Sequence, residues 1–269
     1  MSTTDYVLGQ SERAARRLEL QDRHFAAPSE ALLDALDVCP DDRVVELGCG
    51  PGAFTRRILH RLGPDGAVVG VDSSPHLLEH ATAALNTDRF RPTLADVAKP
   101  GAWLDGAGVV LGRAVLHHVP MAEFLVGRLR AVLPAGTRVG FLEPDFRRPL
   151  AQLARAEQQR PELAPLVTFA RAINELYAAR RISPAVGASL APAMYESGYR
   201  EVKHVWHPFA TDESVLENMA LIYDEVRDTL AALNIITGEE IVEQQKALRA
   251  LPVGDLPAVW GLHQVTAVA

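Results

Sequence analysis

Residues 43–55 read RVVELGCGPGAFT. The stretch predicts a buried strand that ends at Glu46 and Leu47, a turn with glycine at alternate positions, and a helix that begins near Ala53. Glycine allows the backbone to approach a ligand closely, because no Cβ intervenes and positive φ carries little penalty. The helix behind the turn directs unpaired N–H groups and the positive end of its dipole toward the same place. The stretch therefore predicts a cofactor-binding turn in an α/β fold.

Two classes of cofactor compete for this turn. The segment from Gly48 to Ala53 satisfies the loose G-x-G-x-x-G/A dinucleotide fingerprint, which by itself is a weak signal. Glu46 favours the other class, because a carboxylate two residues before the first glycine suits a cationic ammonium and would repel a pyrophosphate. The string ELGCGPG, residues 46–52, resembles motif I of class I S-adenosylmethionine-dependent methyltransferases. The resemblance implies that cofactor-binding residues include Glu46, Gly48, Cys49, Gly50 and Gly52.

A second carboxylate ends the next apolar run. Residues 67–72 read AVVGVD, and Asp72 lies 24 positions after Gly48. That spacing is close to the roughly 20 residues expected for an acid that binds a ribose. We place Asp72 and Ser73 in the cofactor site. The alternative for this segment is helix capping, since Ser73 and Ser74 precede a helical pattern that begins at Pro75.

The third and fourth strands extend the same site. Residues 90–95 predict a strand followed by Asp96 and Val97. The methyltransferase resemblance implies that the Asp96 carboxylate and the Val97 backbone N–H bind adenine; the alternative for Asp96 is a turn residue. Residues 108–112 predict the fourth strand, and RAVLHHVP after it resembles motif IV of the family in its LHHV form. This resemblance adds the backbone of Arg113 and His118 to the cofactor site.

The first 39 residues are expected to form a helical lid. Two helices are predicted, over residues 11–25 and 29–36, with Pro28 between them. The segment from Tyr6 to Gln21 resembles the lead-in of bacterial small-molecule methyltransferases, in which it closes over the methionine end of the cofactor. The resemblance makes Tyr6 and Gln21 candidate cofactor-binding residues, and Arg17 a further candidate; a helix that only packs on the domain is the alternative.

Strand and helix patterns alternate along the chain, which predicts an α/β fold with a parallel sheet covered on both faces. The family outline implies a Rossmann-like, doubly wound, seven-stranded sheet with an antiparallel last strand. Residues 40–145 are the expected S-adenosylmethionine-binding core. The remainder, residues 146–269, continues the same domain with strands six (residues 201–209) and seven (residues 258–268). Helical insertions at residues 146–197 and 211–252 are expected to cap the substrate.

Composition excludes several function classes. The chain has 27 Lys plus Arg against 34 Asp plus Glu, a net charge of −7, and no basic stripe, so we expect no nucleic-acid partner. Cys39 and Cys49 are the only cysteines. They form no metal pattern, and the neighbouring His117 and His118 lack a third ligand, so no metal is expected. Without a long apolar run or a signal-peptide pattern, we expect a cytoplasmic protein with no membrane partner.

Methyl transfer is an in-line displacement that depends mainly on positioning, and a histidine base helps when the acceptor carries a proton. The candidates for catalysis are His117, His118 and His207, with His204 as a further possibility for the base. We expect a methyltransferase acting on an O, N or C atom of a small metabolite in bacterial secondary metabolism. A partly apolar metabolite is favoured by the helical insertions and the aromatic residues Phe169, Tyr177, Trp206 and Tyr223. The alternatives are an S-adenosylmethionine-binding protein with lost or redirected chemistry, and a nicotinamide oxidoreductase. The oligomeric state stays open, with a homodimer as one alternative.

Overall fold

The computed structural model describes residues 12–269, apart from the side chains of residues 12–16 and 19. Within this part the chain divides into two compact units. Unit 2 comprises residues 25–144, 186–207 and 262–269 and contains the sheet. Unit 1 comprises residues 145–185 and 208–261 together with residues up to 24 and is mainly helical.

The sheet has the doubly wound topology predicted from the sequence. Its strands, in chain order, are β1 Arg43–Leu47, β2 Ala67–Asp72, β3 Phe90–Leu94, β4 Val109–Arg113, β5 Arg138–Pro144, β6 Arg200–Pro208 and β7 Gly261–Val268. Their order across the sheet is β3-β2-β1-β4-β5-β7-β6. The first five strands pair in parallel, and β7 pairs antiparallel with β5. The strand order reverses between β1 and β4, where sheets of this kind bind ligands beyond the carboxyl ends of the strands.

The central strands are buried because both of their faces are covered. Nearly every residue of β1, β2 and β4 is buried, as the continuous apolar runs VVEL, VVGV and VVLG predict. One face of the sheet joins the main core of unit 2, to which four strands contribute Val45, Val69, Val110 and Val139. The strand ends that carry polar side chains are therefore held in fixed positions.

Nine helices are described. Their bounds are α1 Glu12–Ala35, α2 Ala53–Arg61, α3 Pro75–Leu85, α4 Ala122–Val132, α5 Arg147–Glu157, α6 Ala164–Ala179, α7 Val186–Glu196, α8 Glu213–Ala232 and α9 Gly238–Arg249. Asp212 and Thr237 cap α8 and α9, and Thr237 forms a capping box with Glu240. No helix in the described part of the chain is long and apolar enough to cross a membrane.

The predicted break at Pro28 is wrong, because α1 continues through that residue. A proline inside a helix costs about 3 kcal/mol. Leu32 and Leu33 near the end of α1 and Leu36 just after it are almost completely buried, and each contributes about 1.5–3 kcal/mol of burial energy. The burial of these three side chains outweighs the cost of the proline.

The last strand begins three residues later than predicted, at Gly261 instead of residue 258. The N–H of Val259 donates to the carbonyl of Pro257 over 3.0 Å, so the chain turns tightly just before the strand. A residue in such a turn cannot join the ladder. Strand six likewise shifts by one residue, from the predicted 201–209 to Arg200–Pro208.

A buried ion pair joins α1 to α8 within unit 1. Arg17 Nε donates to Glu225 Oε1 over 2.8 Å, and the two side chains are 2% and 3% exposed. Arg17 Nη1 also donates to Gln21 Oε1 over 2.6 Å. Removing one member of such a pair leaves a buried charge uncompensated. The pair therefore restricts how α1 packs on α8.

Candidate cofactor site

The glycine turn lies between β1 and α2 in a conformation that needs glycine. Gly48, Gly50 and Gly52 all have positive φ, at 66°, 52° and 89°. A Cβ on Gly48 would come within 2.4 Å of Val115, whereas a Cβ on Gly50 would meet no described atom within 4 Å. Among the described residues, the backbone at Gly50 therefore faces open space, which is what a turn that admits a ligand to its backbone requires.

Asp72 ties this turn to the end of β2. One carboxylate oxygen accepts the N–H of Gly50 over 2.9 Å, and the other accepts the N–H of Ser74 over 2.9 Å. Burial raises the pKa of Asp72, while backbone N–H bonds from Ser74, Gly50 and Ser73 act in the opposite direction. The Ser74 hydroxyl caps α3 by accepting from Leu77 N–H. Capping is thus carried out by Ser74, which leaves the binding role of Asp72 and Ser73 open.

Glu46 is buried at the end of β1, with 2% of its surface exposed. The Thr55 hydroxyl on α2 donates to its Oε2 over 2.6 Å. Burial raises the pKa of Glu46 to about 8, against the lowering effects of the Thr55 hydrogen bond and the Arg113 charge; Asp72 adds to the rise. A nearby cation would strongly stabilise this buried carboxyl group, because a positive charge favours the ionised form.

Asp96 lies in the turn that follows β3. A turn position is the alternative to a role for Asp96 in binding adenine. Its Oδ1 accepts the N–H of Ala98 over 2.9 Å, and its Oδ2 lies 3.3 Å from Lys99 Nζ. The side chain of Val97 is buried in the core of unit 2. The turn fixes the orientation of Asp96 and is compatible with either interpretation.

The side chain of Arg113 packs against helices of the same unit. Its guanidinium lies over the rings of Phe54 and Phe25, at 4.8 and 5.8 Å from their centroids, and donates to the Ser29 hydroxyl over 3.1 Å. Arg113 is the last residue of β4, so its backbone lies at the carboxyl end of that strand. The next residue, Ala114, has φ 52°, a costly conformation for alanine that turns the chain sharply at this point.

His117 is held by a carboxylate that the sequence analysis did not single out. Its Nδ1 lies 2.9 Å from Oε2 of Glu143, a completely buried residue near the end of β5. Glu143 also accepts backbone N–H groups from Val115, Leu116 and His117. The signal for it was present in the sequence, because Glu143 is an acid near the carboxyl end of a predicted parallel strand, as Asp72 is.

The other histidine candidates are dispersed within unit 2. The His118 ring lies beside that of His117, with 3.9 Å between centroids. His207 lies on β6 with Nε2 2.8 Å from Gln264 Oε1. His204, also on β6, pairs through Nε2 with Nδ1 of the β7 residue His263 over 2.7 Å. The structure thus brings together only the first two of these candidates.

Two predicted residues belong to the N-terminal segment. Tyr6 lies outside the described residues. Gln21 lies on α1 in unit 1, where its side-chain carbonyl accepts from Arg17. Among residues 12–269, no group of three or more His, Cys, Asp or Glu side chains is arranged to hold a metal ion.

Most aromatic side chains behind the expectation of a partly apolar acceptor are core residues. Phe169, Tyr177 and Tyr223 are buried in the core of unit 1, with exposures of 1%, 4% and 0%. Trp206 on β6 is half-buried and packs against His263 in unit 2, with 4.6 Å between ring centroids. Trp206 is therefore the member of this set that keeps an accessible surface.

The residues gathered beyond the carboxyl ends of β1, β2 and β4 fit a cofactor of the S-adenosylmethionine type. Gly50 offers an open backbone, Asp72 offers a carboxylate next to that backbone, and Glu46 is a buried acid that a cation would ionise. A pyrophosphate would meet the two acids Glu46 and Asp72 here, while the Arg113 guanidinium is packed on Phe54.

Comparison with known proteins agrees with this geometry. The family model described as "Methyltransferase domain" matches residues 45–139. The trans-aconitate 2-methyltransferase of Variovorax paradoxus is 35% identical over 130 residues, which are 48% of this chain and 49% of the relative. The protein of the same name from Methylobacterium radiotolerans is 33% identical over 171 residues, covering 62% of this chain and 60% of the relative. The chain thus spans less than two thirds of the length of either relative.

A solved structure extends the likeness to the fold. The cyclopropane synthase MmaA2 from Mycobacterium tuberculosis superposes with a TM-score of 0.56 at 16% identity, over 91% of this chain and 84% of that chain. A likeness at this identity concerns the fold alone, and it confirms the predicted Rossmann-like α/β class. The family match covers the glycine turn, Asp72, Asp96 and the LHHV segment. The predicted resemblance to a methyltransferase is therefore confirmed over residues 45–139, which match the methyltransferase domain.

Proposed function

We propose that this protein transfers the methyl group of S-adenosylmethionine to an O, N or C atom of a small, partly apolar metabolite. The observation that carries the proposal is the glycine turn, in which the N–H of Gly50 is bonded to Asp72 while its Cα faces open space. This arrangement leaves room for a ligand beside the turn and a carboxylate next to it. The family match over the same residues supports the choice of ligand.

The proposed roles follow the chemistry of each group. Asp72 accepts hydrogen bonds from the ribose hydroxyls, Glu46 provides negative charge for the methionyl ammonium, and Asp96 with the Val97 N–H binds adenine. The Arg113 backbone lies beside the amino acid end. The full proposed cofactor set is Tyr6, Gln21, Glu46, Gly48, Cys49, Gly50, Gly52, Asp72, Ser73, Asp96, Val97, Arg113 and His118.

Catalysis is proposed to depend mainly on orientation. When bound, S-adenosylmethionine supplies a methyl group activated by its sulfonium. The chain has to hold the acceptor in line with that group and, where the acceptor carries a proton, remove it. His117 is the first candidate for the base because Glu143 orients its ring; His118 and His207 are the others. Residues 146–197 and 211–252 are proposed to cap the acceptor, and residues 1–39 to act as the lid.

The acceptor class rests on the relatives and on one aromatic side chain. The two relatives described above are named for trans-aconitate, which makes small organic acids the first acceptors to test. Trp206 offers a half-buried aromatic surface, which supports acceptors with an apolar part. We also propose a bacterial secondary-metabolic role, a cytoplasmic location and no nucleic-acid partner. An S-adenosylmethionine-binding protein with redirected chemistry stays as the alternative, because one fold can host several reactions on the same ligand.

The proposed activity can be measured directly with a radiolabelled methyl donor. We expect label to enter a small molecule, with one equivalent of S-adenosylhomocysteine formed for each methyl group transferred. The acceptor panel should contain trans-aconitate, related small acids and hydroxylated aromatic compounds. Binding of the donor without release of S-adenosylhomocysteine across the panel would favour the alternative of redirected chemistry.

A matched pair of glycine variants tests the turn. Gly50→Ala adds a Cβ to the open face and should weaken S-adenosylmethionine binding at least tenfold, while the positive φ costs about 1–2 kcal/mol of stability. Gly48→Ala adds a Cβ that would lie 2.4 Å from Val115, so its main effect should be a lower melting temperature. Calorimetric titration and thermal unfolding separate the two effects. Equal affinity in folded Gly50→Ala and wild-type protein would show that the ligand does not lie against this turn.

The raised pKa of Glu46 predicts a proton linked to cofactor binding. With a pKa of about 8, Glu46 is mostly protonated at pH 7, and an ammonium beside it would favour the ionised form. S-adenosylmethionine binding at pH 7 should therefore release up to one proton. Titrations in two buffers of different ionisation enthalpy measure this release. Glu46→Gln should abolish this proton release. A release that persists in the variant would show that Glu46 does not bind the ammonium.

A further inference from the structure

Glu143 is a buried carboxylate whose hydrogen-bonding capacity is completely used by one short segment. Its Oε1 accepts the N–H groups of Val115 over 2.9 Å and Leu116 over 2.8 Å. Its Oε2 accepts the N–H of His117 over 3.2 Å and lies 2.9 Å from His117 Nδ1. Glu143 is 0% exposed, so water does not compete for these positions. The carboxylate thus fixes both the backbone and the imidazole of the segment that follows β4.

This saturation decides which nitrogen of His117 carries the proton. An ionised carboxylate has about four acceptor positions and no donor. Three positions are filled by backbone N–H groups, which can only donate, and the fourth faces His117 Nδ1. That nitrogen must therefore donate as Nδ1–H. In the neutral ring, Nε2 is then the nitrogen that can accept a proton.

Resting on the proposed methyltransferase function, we propose that Glu143 is a positioning residue that holds His117 as the Nδ1–H tautomer, so that its Nε2 removes the proton of a hydroxyl or ammonium acceptor. In this step the acceptor atom loses its proton to Nε2 and forms the bond to the methyl carbon. The sulfur keeps the electron pair of the bond that breaks, and the proton on His117 is later released to water. The inference narrows the acceptor to a group that has a proton to lose.

The pH dependence of this arrangement has a defined sign. Burial raises the pKa of Glu143 to about 7, although its three backbone N–H bonds act to lower it. Other titratable groups near Glu143 are His117 and His118 on the segment after β4, and His263, its register partner on β7, which is bonded to His204. Below pH 7 a protonated Glu143 can no longer accept all four bonds, so turnover should fall on the acid side.

The tautomer can be observed without any methyl transfer. Glu143→Gln keeps the shape of the side chain but places an amide N–H opposite His117 Nδ1. In 15N-labelled full-length protein held well above pH 7, where Glu143 is ionised, imidazole NMR spectra should show the Nδ1–H tautomer for His117 in the wild type and the Nε2–H tautomer in the variant. The same tautomer in both proteins would overturn the inference, whether or not the protein proves to be a methyltransferase.

Kinetics test the consequence of the tautomer. Glu143→Gln should lower kcat about 10²-fold or more, as expected for loss of general base catalysis, with S-adenosylmethionine affinity nearly unchanged. The acid limb near pH 7 should shift or disappear in this variant. Glu123→Gln is the matched control, because it alters a carboxylate on α4 that accepts from Ser189 and should leave kcat unchanged. Wild-type kcat and pH profile in folded Glu143→Gln would overturn the positioning role.

Discussion

The acids at the carboxyl edge of the sheet need partners inside the protein, because they are withdrawn from water. Glu46, Asp72 and Glu143 lie at or near the ends of β1, β2 and β5. Burial raises the pKa of each of them. Asp72 and Glu143 are compensated by backbone N–H groups, from Gly50 and Ser74 in one case and from residues 115–117 in the other. The paths of the glycine turn and of the segment after β4 depend on these bonds.

Within residues 12–269, Glu46 has fewer hydrogen-bond donors than the other two acids. One neutral hydroxyl, that of Thr55, donates to it, and the guanidinium of Arg113 acts on it only through space. A nearby cation stabilises the ionised form of such a buried acid. The site therefore favours a ligand that carries a positive charge close to Glu46. The same preference disfavours a pyrophosphate. The distinction between the two cofactor classes is therefore an electrostatic one, even though both use glycine-rich turns.

The sequence predicts the sheet well, and it predicts that Glu46 and Asp72 lie at strand ends, since both follow from local patterns. The apolar runs before Glu46, Asp72 and Arg113 mark strands, and the carboxyl ends of parallel strands meet at one edge. Glu143 is different, because its role depends on residues 115–117, which are remote in sequence and reach it only through strand pairing. Local sequence patterns do not predict that α1 continues through Pro28 either, because the continuous helix depends on leucines that are buried by tertiary packing. Aromatic residues such as Tyr223 seemed suited to a pocket, but packing within unit 1 buries them.

The most direct test of this account is a calorimetric titration of the full-length protein with S-adenosylmethionine, S-adenosylhomocysteine and NADH in parallel. We expect both adenosyl ligands to bind with a stoichiometry of one per chain and NADH to give no heat of binding. The opposite pattern, with NADH bound and both adenosyl ligands silent, would contradict the assignment of the glycine turn and of Glu46.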